Sequence, residues 1–170
     1  MTVHRMTLPA LALLLLLARA VAADERESPA LAAGDPLPAL ELEDQFGERR
    51  AVDDSVRLVL FSRDMDGGNA IREALAEDGA AFLEQHAAVY VADVSGMPAL
   101  VRQLMAKPAM RRRGYPMLLD ENGAATRALP AEPGQATLLF LEAGRVKRIE
   151  TVASAQALRA AVEPAPESAD

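Results

Sequence analysis

Asp64 and Asp66, separated by Met65 and followed by Gly67, Gly68 and Asn69, come after the apolar run of residues 56–62 and Arg63. Asp93 closes a second apolar run, and carboxylates collected at such strand ends can hold calcium or magnesium through oxygen. The plainer reading is that Asp64 and Asp66 open a turn and cap the following helix, whose positive end favours acids. Met97, Met105 and Met110 offer the soft sulfur that copper(I) takes, or else flexible filling for a core. Arg111, Arg112 and Arg113 could grip a phosphate or an acidic partner, or simply end a helix in solvent. His86 has no second histidine near it to build a metal site, and the sequence positions no histidine to activate Ser62. The chain holds no cysteine, which excludes a thiol nucleophile, a dithiol couple, a disulfide and a thiolate-bound metal.

The elements that must position these residues follow from periodicity. Residues 37–43 and 50–52 flank the turn Gln45-Phe46-Gly47-Glu48 and predict a small leading hairpin. Residues 56–62 and 88–94 are nearly continuous apolar runs of strand length, as in strands covered on both faces. Between them, Ile71, Leu75 and Phe82 fit one helical stripe. Pro98 fits the first turn of another helix, with Met97, Leu100, Val101, Leu104 and Met105 as its apolar face until Pro108 stops or kinks it. A third strand is expected at 115–120 and a fourth at 136–142. The tight turn Ala143-Gly144 then leads to a fifth at 145–151, and Ser154 caps a last helix facing inward through Leu158, Ala161 and Val162.

The N-terminus reads as an export signal. Arg5 precedes an apolar stretch too short to span a bilayer, and Ala20-Val21-Ala22 offers a small-x-small cleavage site. Residues 1–22 are therefore expected to be removed, 23–33 to form a linker, 34–163 a single domain and 164–170 a polar tail. Cleavage leaves sixteen basic residues against twenty-five acidic ones, a formal charge of −9. Such a balance repels nucleic acid and leaves no affinity for an anionic membrane, and the expected location is the periplasm.

Strand, helix, strand, helix, strand, then an antiparallel pair and a closing helix is the order of an α/β domain with a central mixed sheet flanked by helices. The residues 59–69 (Val-Leu-Phe-Ser-Arg-Asp-Met-Asp-Gly-Gly-Asn), 115–123 (Tyr-Pro-Met-Leu-Leu-Asp-Glu-Asn-Gly) and 136–145 (Ala-Thr-Leu-Leu-Phe-Leu-Glu-Ala-Gly-Arg) resemble the corresponding stretches of exported thioredoxin-like redoxins. The resemblance spans about residues 34–162. It implies a thioredoxin-like fold in which Asp66-Gly67-Gly68-Asn69 occupies the place of the redox Cys-x-x-Cys, and Ala136 that of the cis-proline. Gly114-Tyr115-Pro116 is an alternative for the proline corner. Either alignment gives the scaffold without its thiol chemistry, with no cofactor implied, because no Gly-x-Gly-x-x-Gly follows a strand.

Asp64-Met65-Asp66-Gly67 also resembles the Asp-x-Asp-Gly signature of haloacid-dehalogenase-type phosphohydrolases. That resemblance implies a magnesium-dependent reaction with Asp64 as nucleophile and Asp66 as acid/base, although Gly68 stands where a threonine is expected. The leading expectation is a non-redox binding or interaction role for a periplasmic protein or small ligand. Its groove would lie between Asp64, Asp66, Gly67, Gly68 and Asn69 on one side and Gln135, Ala136 and Thr137 on the other, with Asp93 nearby. Arg111, Arg112 and Arg113 would make a second contact. The alternatives are the phosphohydrolase and a periplasmic metal-handling protein.

Overall fold

A computed structural model describes residues 31–163. The expected export signal, most of the expected linker and the polar tail lie outside them.

Seven strands form one mixed sheet: β1 (Glu41–Asp44), β2 (Arg49–Ala51), β3 (Leu58–Ser62), β4 (Ala88–Asp93), β5 (Leu118–Asp120), β6 (Ala136–Glu142) and β7 (Arg145–Val152). Their order across the sheet is β2-β1-β5-β4-β3-β6-β7. β3, β4 and β5 run parallel, and the pairs β1–β2, β1–β5, β3–β6 and β6–β7 run antiparallel. The leading hairpin is present, and so is the tight β6–β7 turn, where Ala143 and Gly144 both take positive φ (48° and 71°) as a two-residue hairpin loop with the twist of its strands requires.

β3 is buried along its whole length, and its side chains divide by parity between two cores. Leu58 and Leu60 point into a cluster that takes residues from every helix, while Val59 and Phe61 face a second cluster with no helical member. That second face is closed by irregular chain, including Leu31, Leu40 and Leu129. Leu31, expected in the linker, is buried and its N–H donates to the Ala128 carbonyl, so ordered packing begins ahead of Gly34.

The expected single stripe through Ile71, Leu75 and Phe82 is two helices, α1 (Met65–Ala74) and α2 (Gly79–Gln85). All three side chains do reach the same core, but a turn at residues 75–78 lets the chain change direction between them. At Gly79 a Cβ would lie 2.5 Å from the Tyr115 ring, so only glycine permits that approach of α2 to the β5 side.

The third helix, α3, has three consecutive parts: α-helical Ala99–Val101, a π-helical turn at Arg102–Ala106, and α-helical Lys107–Arg111. Pro108 neither ends it nor breaks it. A proline ring clashes with the carbonyl four residues back, here Leu104, and the wider π turn just before it relieves that clash. The expected inward face is also corrected: Leu100, Leu104 and Met105 are each about 70% exposed and Val101 is 41% exposed. α3 reaches the core through Met110 in its C-terminal part, with Ala106 of the π-helical turn packed beside it. The last helix, α4 (Ala155–Val162), is capped as expected by Ser154, whose Oγ accepts from the Ala157 N–H at 3.2 Å.

Candidate functional site

The carboxyl ends of β3 and β4 and the start of α1 bring the candidate residues together. Asp64 has extended backbone and is the N-cap of α1: its Oδ1 accepts from the Gly67 N–H at 2.8 Å. Its Oδ2 accepts from the Gly134 N–H at 2.6 Å, which ties the helix start to the loop before β6. Both carboxylate oxygens are therefore used as backbone acceptors, the structural role of a cap extended to a second segment.

The groove expected between the Asp64 turn and the segment before Thr137 is closed. Gly67 is buried against the Gln135 carbonyl, and a Cβ there would stand 2.7 Å from the carbonyl carbon and closer still to the oxygen. Ala136 and Thr137 are buried, and the Thr137 hydroxyl donates to the Pro130 carbonyl at 2.9 Å. No described peptide bond is cis, at Ala136 or at Pro116. Of the two proline corners considered, the one beside α1 is that at Gln135 and Ala136, whereas Pro116 leads into β5.

Asp66 is exposed on the first turn of α1, and Asp93 does not join it. Asp93 instead faces Arg63 (Oδ2 to Nε 3.3 Å), accepts from the Ser95 N–H at 3.0 Å, and is side by side with the buried Asp120 across β4 and β5. Arg63 also donates to the carbonyls of Thr126 (2.7 Å) and Leu129 (3.2 Å), so the one side chain joins β3, β4 and the loop after β5. Asp120 accepts from the N–H groups of Gly123 and Thr126 and from the Thr126 hydroxyl. Among the described residues no three of His, Cys, Asp or Glu gather as a metal site.

The open space is on the other side of α1. A cavity of about 640 Å³ runs between α1, the ends of β3 and β4, and α3. Asp64, Gly68, Asn69 and Asp93 line it, whereas Asp66, Gly67, Gln135, Ala136 and Thr137 do not. Its floor holds a buried polar pair, Ser62 Oγ and Tyr90 Oη, 3.1 Å apart. Burial pushes the Tyr90 phenol above its ordinary value, against the lowering effect of Ser62, Arg113 and Arg72, so it stays protonated.

The three expected contact arginines diverge. Arg111 Nε donates to the Gln45 carbonyl at 2.9 Å, Arg112 lines a second, more polar hollow near Tyr115, and Arg113 lines both that hollow and the cavity. Of the methionines of the copper expectation, Met97 and Met110 line the cavity with Met65 and Met117, while Met105 is exposed outside it.

Two of the residues that shape this region carry weak sequence signals. Gln45, read as part of a turn, is fully buried; its amide donates to the Tyr115 carbonyl and accepts from the Met117 N–H, both at 2.8 Å, and so fixes the chain entering β5. Arg72 lies on the exposed side of α1 and faces the cavity, which a helical period alone does not reveal.

No protein-family profile matches the chain, and no curated protein matches it. Solved structures do. A peroxidoxin from Mycobacterium tuberculosis aligns at 21% identity and a TM-score of 0.53, over 78% of this chain and 94% of that one. A structure from Chlorobium tepidum, assigned as a thiol:disulfide interchange protein, aligns at 18% identity and 0.54, over 79% of this chain and all of the other. The thioredoxin domain of a Bacteroides vulgatus thiol-disulfide oxidoreductase aligns at 12% identity and 0.51, over 79% and 100%. With a mixed sheet, flanking helices and no cysteine in its 170 residues, the chain has a thioredoxin-like fold that holds no thiol.

Proposed function

We propose that this is an exported protein that binds a ligand or partner and carries out no dithiol exchange. The observation that supports this reading most directly is what occupies the place of the redox motif. Asp66-Gly67-Gly68-Asn69 supplies no sulfur, and Gly67 is pressed onto the Gln135 carbonyl so that no larger side chain fits there. A disulfide exchange needs an attacking thiolate, and an aspartate cannot replace it. The retained opening is the cavity beside α1, whose size is within the range of small-molecule sites.

The phosphohydrolase reading is less favoured, because Asp64 serves as a helix cap through both oxygens, Asp66 lies outside the cavity, and no three of His, Cys, Asp or Glu gather among the described residues to hold magnesium. For the metal-handling reading, no three of His, Cys, Asp or Glu gather among the described residues, and of the three methionines considered for copper only Met97 and Met110 share the cavity.

The test uses the purified chain in two assays. Reduction of hydrogen peroxide and of a protein disulfide, with dithiothreitol as donor, should proceed no faster than in buffer; turnover above buffer overturns the reading. A thermal-shift panel of small metabolites should contain at least one compound that raises the melting temperature, since a ligand held by the folded state alone must do so. Mass spectrometry of the protein recovered from the periplasm should find a chain beginning at Ala23, and an uncleaved cytoplasmic chain would overturn the export part.

A further inference from the structure

The cavity between α1 and α3 has an unusual division of chemistry. Its apolar wall is built from four methionines, Met65, Met97, Met110 and Met117, with Val101. Methionine is unbranched and polarizable, and it lines surfaces that must adapt to an apolar guest. The charged lining consists of three arginines and two aspartates. Arg63 and Asp93 are paired with each other, and the Asp64 oxygens are turned to the N–H groups of Gly67 and Gly134. That leaves Arg72 and Arg113. Among the described residues neither has a carboxylate within ion-pair distance; Arg113 donates to the Met117 sulfur at 3.4 Å and stands within hydrogen-bonding reach of the Tyr115 phenol.

Both arginines line the cavity whose floor holds Tyr90, and both also line the neighbouring hollow that holds Tyr115. They do so in a chain that carries a net charge of −7, where unpartnered cations are the scarcer kind. Residues 95–119, which supply α3 and much of the cavity wall, contain five basic residues and no acid. A guanidinium facing an apolar, partly water-excluded space favours a planar anionic head that can take two hydrogen bonds.

We propose that this cavity is a binding site for an amphipathic monoanion, a single carboxylate-type head held by Arg72 and Arg113 with an apolar body laid against the methionines. The inference rests on the binding reading above and names its ligand class. Ser62 and Tyr90 set the depth to which the head can descend, as the last polar groups before the core.

The experiment is isothermal titration of the full mature chain with decanoate, decanol and acetate, each below its aggregation concentration. Decanoate should bind, decanol should bind at least tenfold more weakly, and acetate should give no heat of binding. The double variant Arg72→Gln/Arg113→Gln should lower decanoate affinity to that of decanol, while its melting temperature without ligand stays within about two degrees of the parent. A second variant, Val101→Asp, places an acid in the apolar wall at a half-exposed position and should weaken decanoate and decanol together.

Equal affinity for decanoate and decanol would overturn the assignment of the anionic head. Absence of binding by both would overturn the site. So would decanoate affinity unchanged in the double arginine variant. Peroxide or disulfide turnover, measured in parallel, would instead overturn the underlying non-redox reading.

Discussion

The two glycines of the α1 entrance separate what is fixed by packing from what is free to change. At Gly67 a methyl group would be driven into the Gln135 carbonyl, backbone that cannot swing aside. Gly67→Ala is therefore expected to lower stability by about 1–3 kcal/mol, the usual cost of overpacking. At neighbouring Gly68 a Cβ would meet the Tyr90 and Ser62 oxygens at 3.5 and 3.6 Å, ordinary contact distances. Gly68→Ala should raise stability by about 0.5–1 kcal/mol, because alanine is the better helix former. Urea denaturation of both variants checks the pair, and similar losses at both would contradict the close approach. Asp44 makes a different kind of statement. Burial by itself would push this carboxyl up, but hydrogen bonds from the N–H groups of Glu48 and Phe46 and from Arg50 outweigh it and hold the group below its ordinary value. A carboxyl whose value is lowered by folding adds stability above its unfolded value, and the gain disappears as pH falls through the folded one. The urea midpoint should thus decline below about pH 4, and less steeply in Asp44→Asn.

At the scale of elements, the most consequential link is a single arginine on α4. The Arg159 guanidinium donates to the Ala74 carbonyl at the end of α1 through Nε (2.9 Å) and Nη2 (2.6 Å), pairs with Asp78 in the turn before α2, and lies over the Phe82 ring. It satisfies a helix C-terminal carbonyl and joins three helices. Replacing it by alanine should cost about 1–2 kcal/mol, discounted for its partial exposure. Arg159→Lys should recover only part of this, since one ammonium cannot reproduce the fork; full recovery in thermal melts would reduce the role to charge alone. The exposed stretch of α3 predicts the opposite behaviour: Leu100→Ser and Leu104→Ser should change stability by less than about 0.5 kcal/mol. That stretch also shows where sequence reading stops. Residues 58–62, the Ala143-Gly144 turn and the Ser154 cap were legible because periodicity and turn chemistry are local. The orientation of α3 was not, because an apolar stripe says which side of a helix is greasy and nothing about whether a neighbour covers it. The break between α1 and α2 was hidden for a similar reason: Ile71, Leu75 and Phe82 keep a helical spacing and share one core, yet Ile71 and Phe82 lie on different helices with Leu75 in the turn between them. The candidate site was legible at Asp64, as a cap, and illegible at Arg72, Gln45 and Tyr90, whose roles come from chain segments far away in sequence.

For the molecule as a whole, β3 is the common wall of both cores, with Leu60 on one side and Phe61 on the other. Neither cluster can lose its packing while the other remains, so the described domain should unfold in one step. Leu60→Ala and Phe61→Ala should each lower the same transition by about 2–5 kcal/mol, within the range for large buried side chains. Circular dichroism and side-chain signals should give coincident midpoints; two separated transitions would show that the cores are independent. The chain has no tryptophan and just two tyrosines, and both are buried at the arginine-lined hollows. Its near-ultraviolet absorption and emission therefore originate almost entirely from phenols beside the proposed binding pocket, which makes the unlabelled protein its own optical reporter of occupancy.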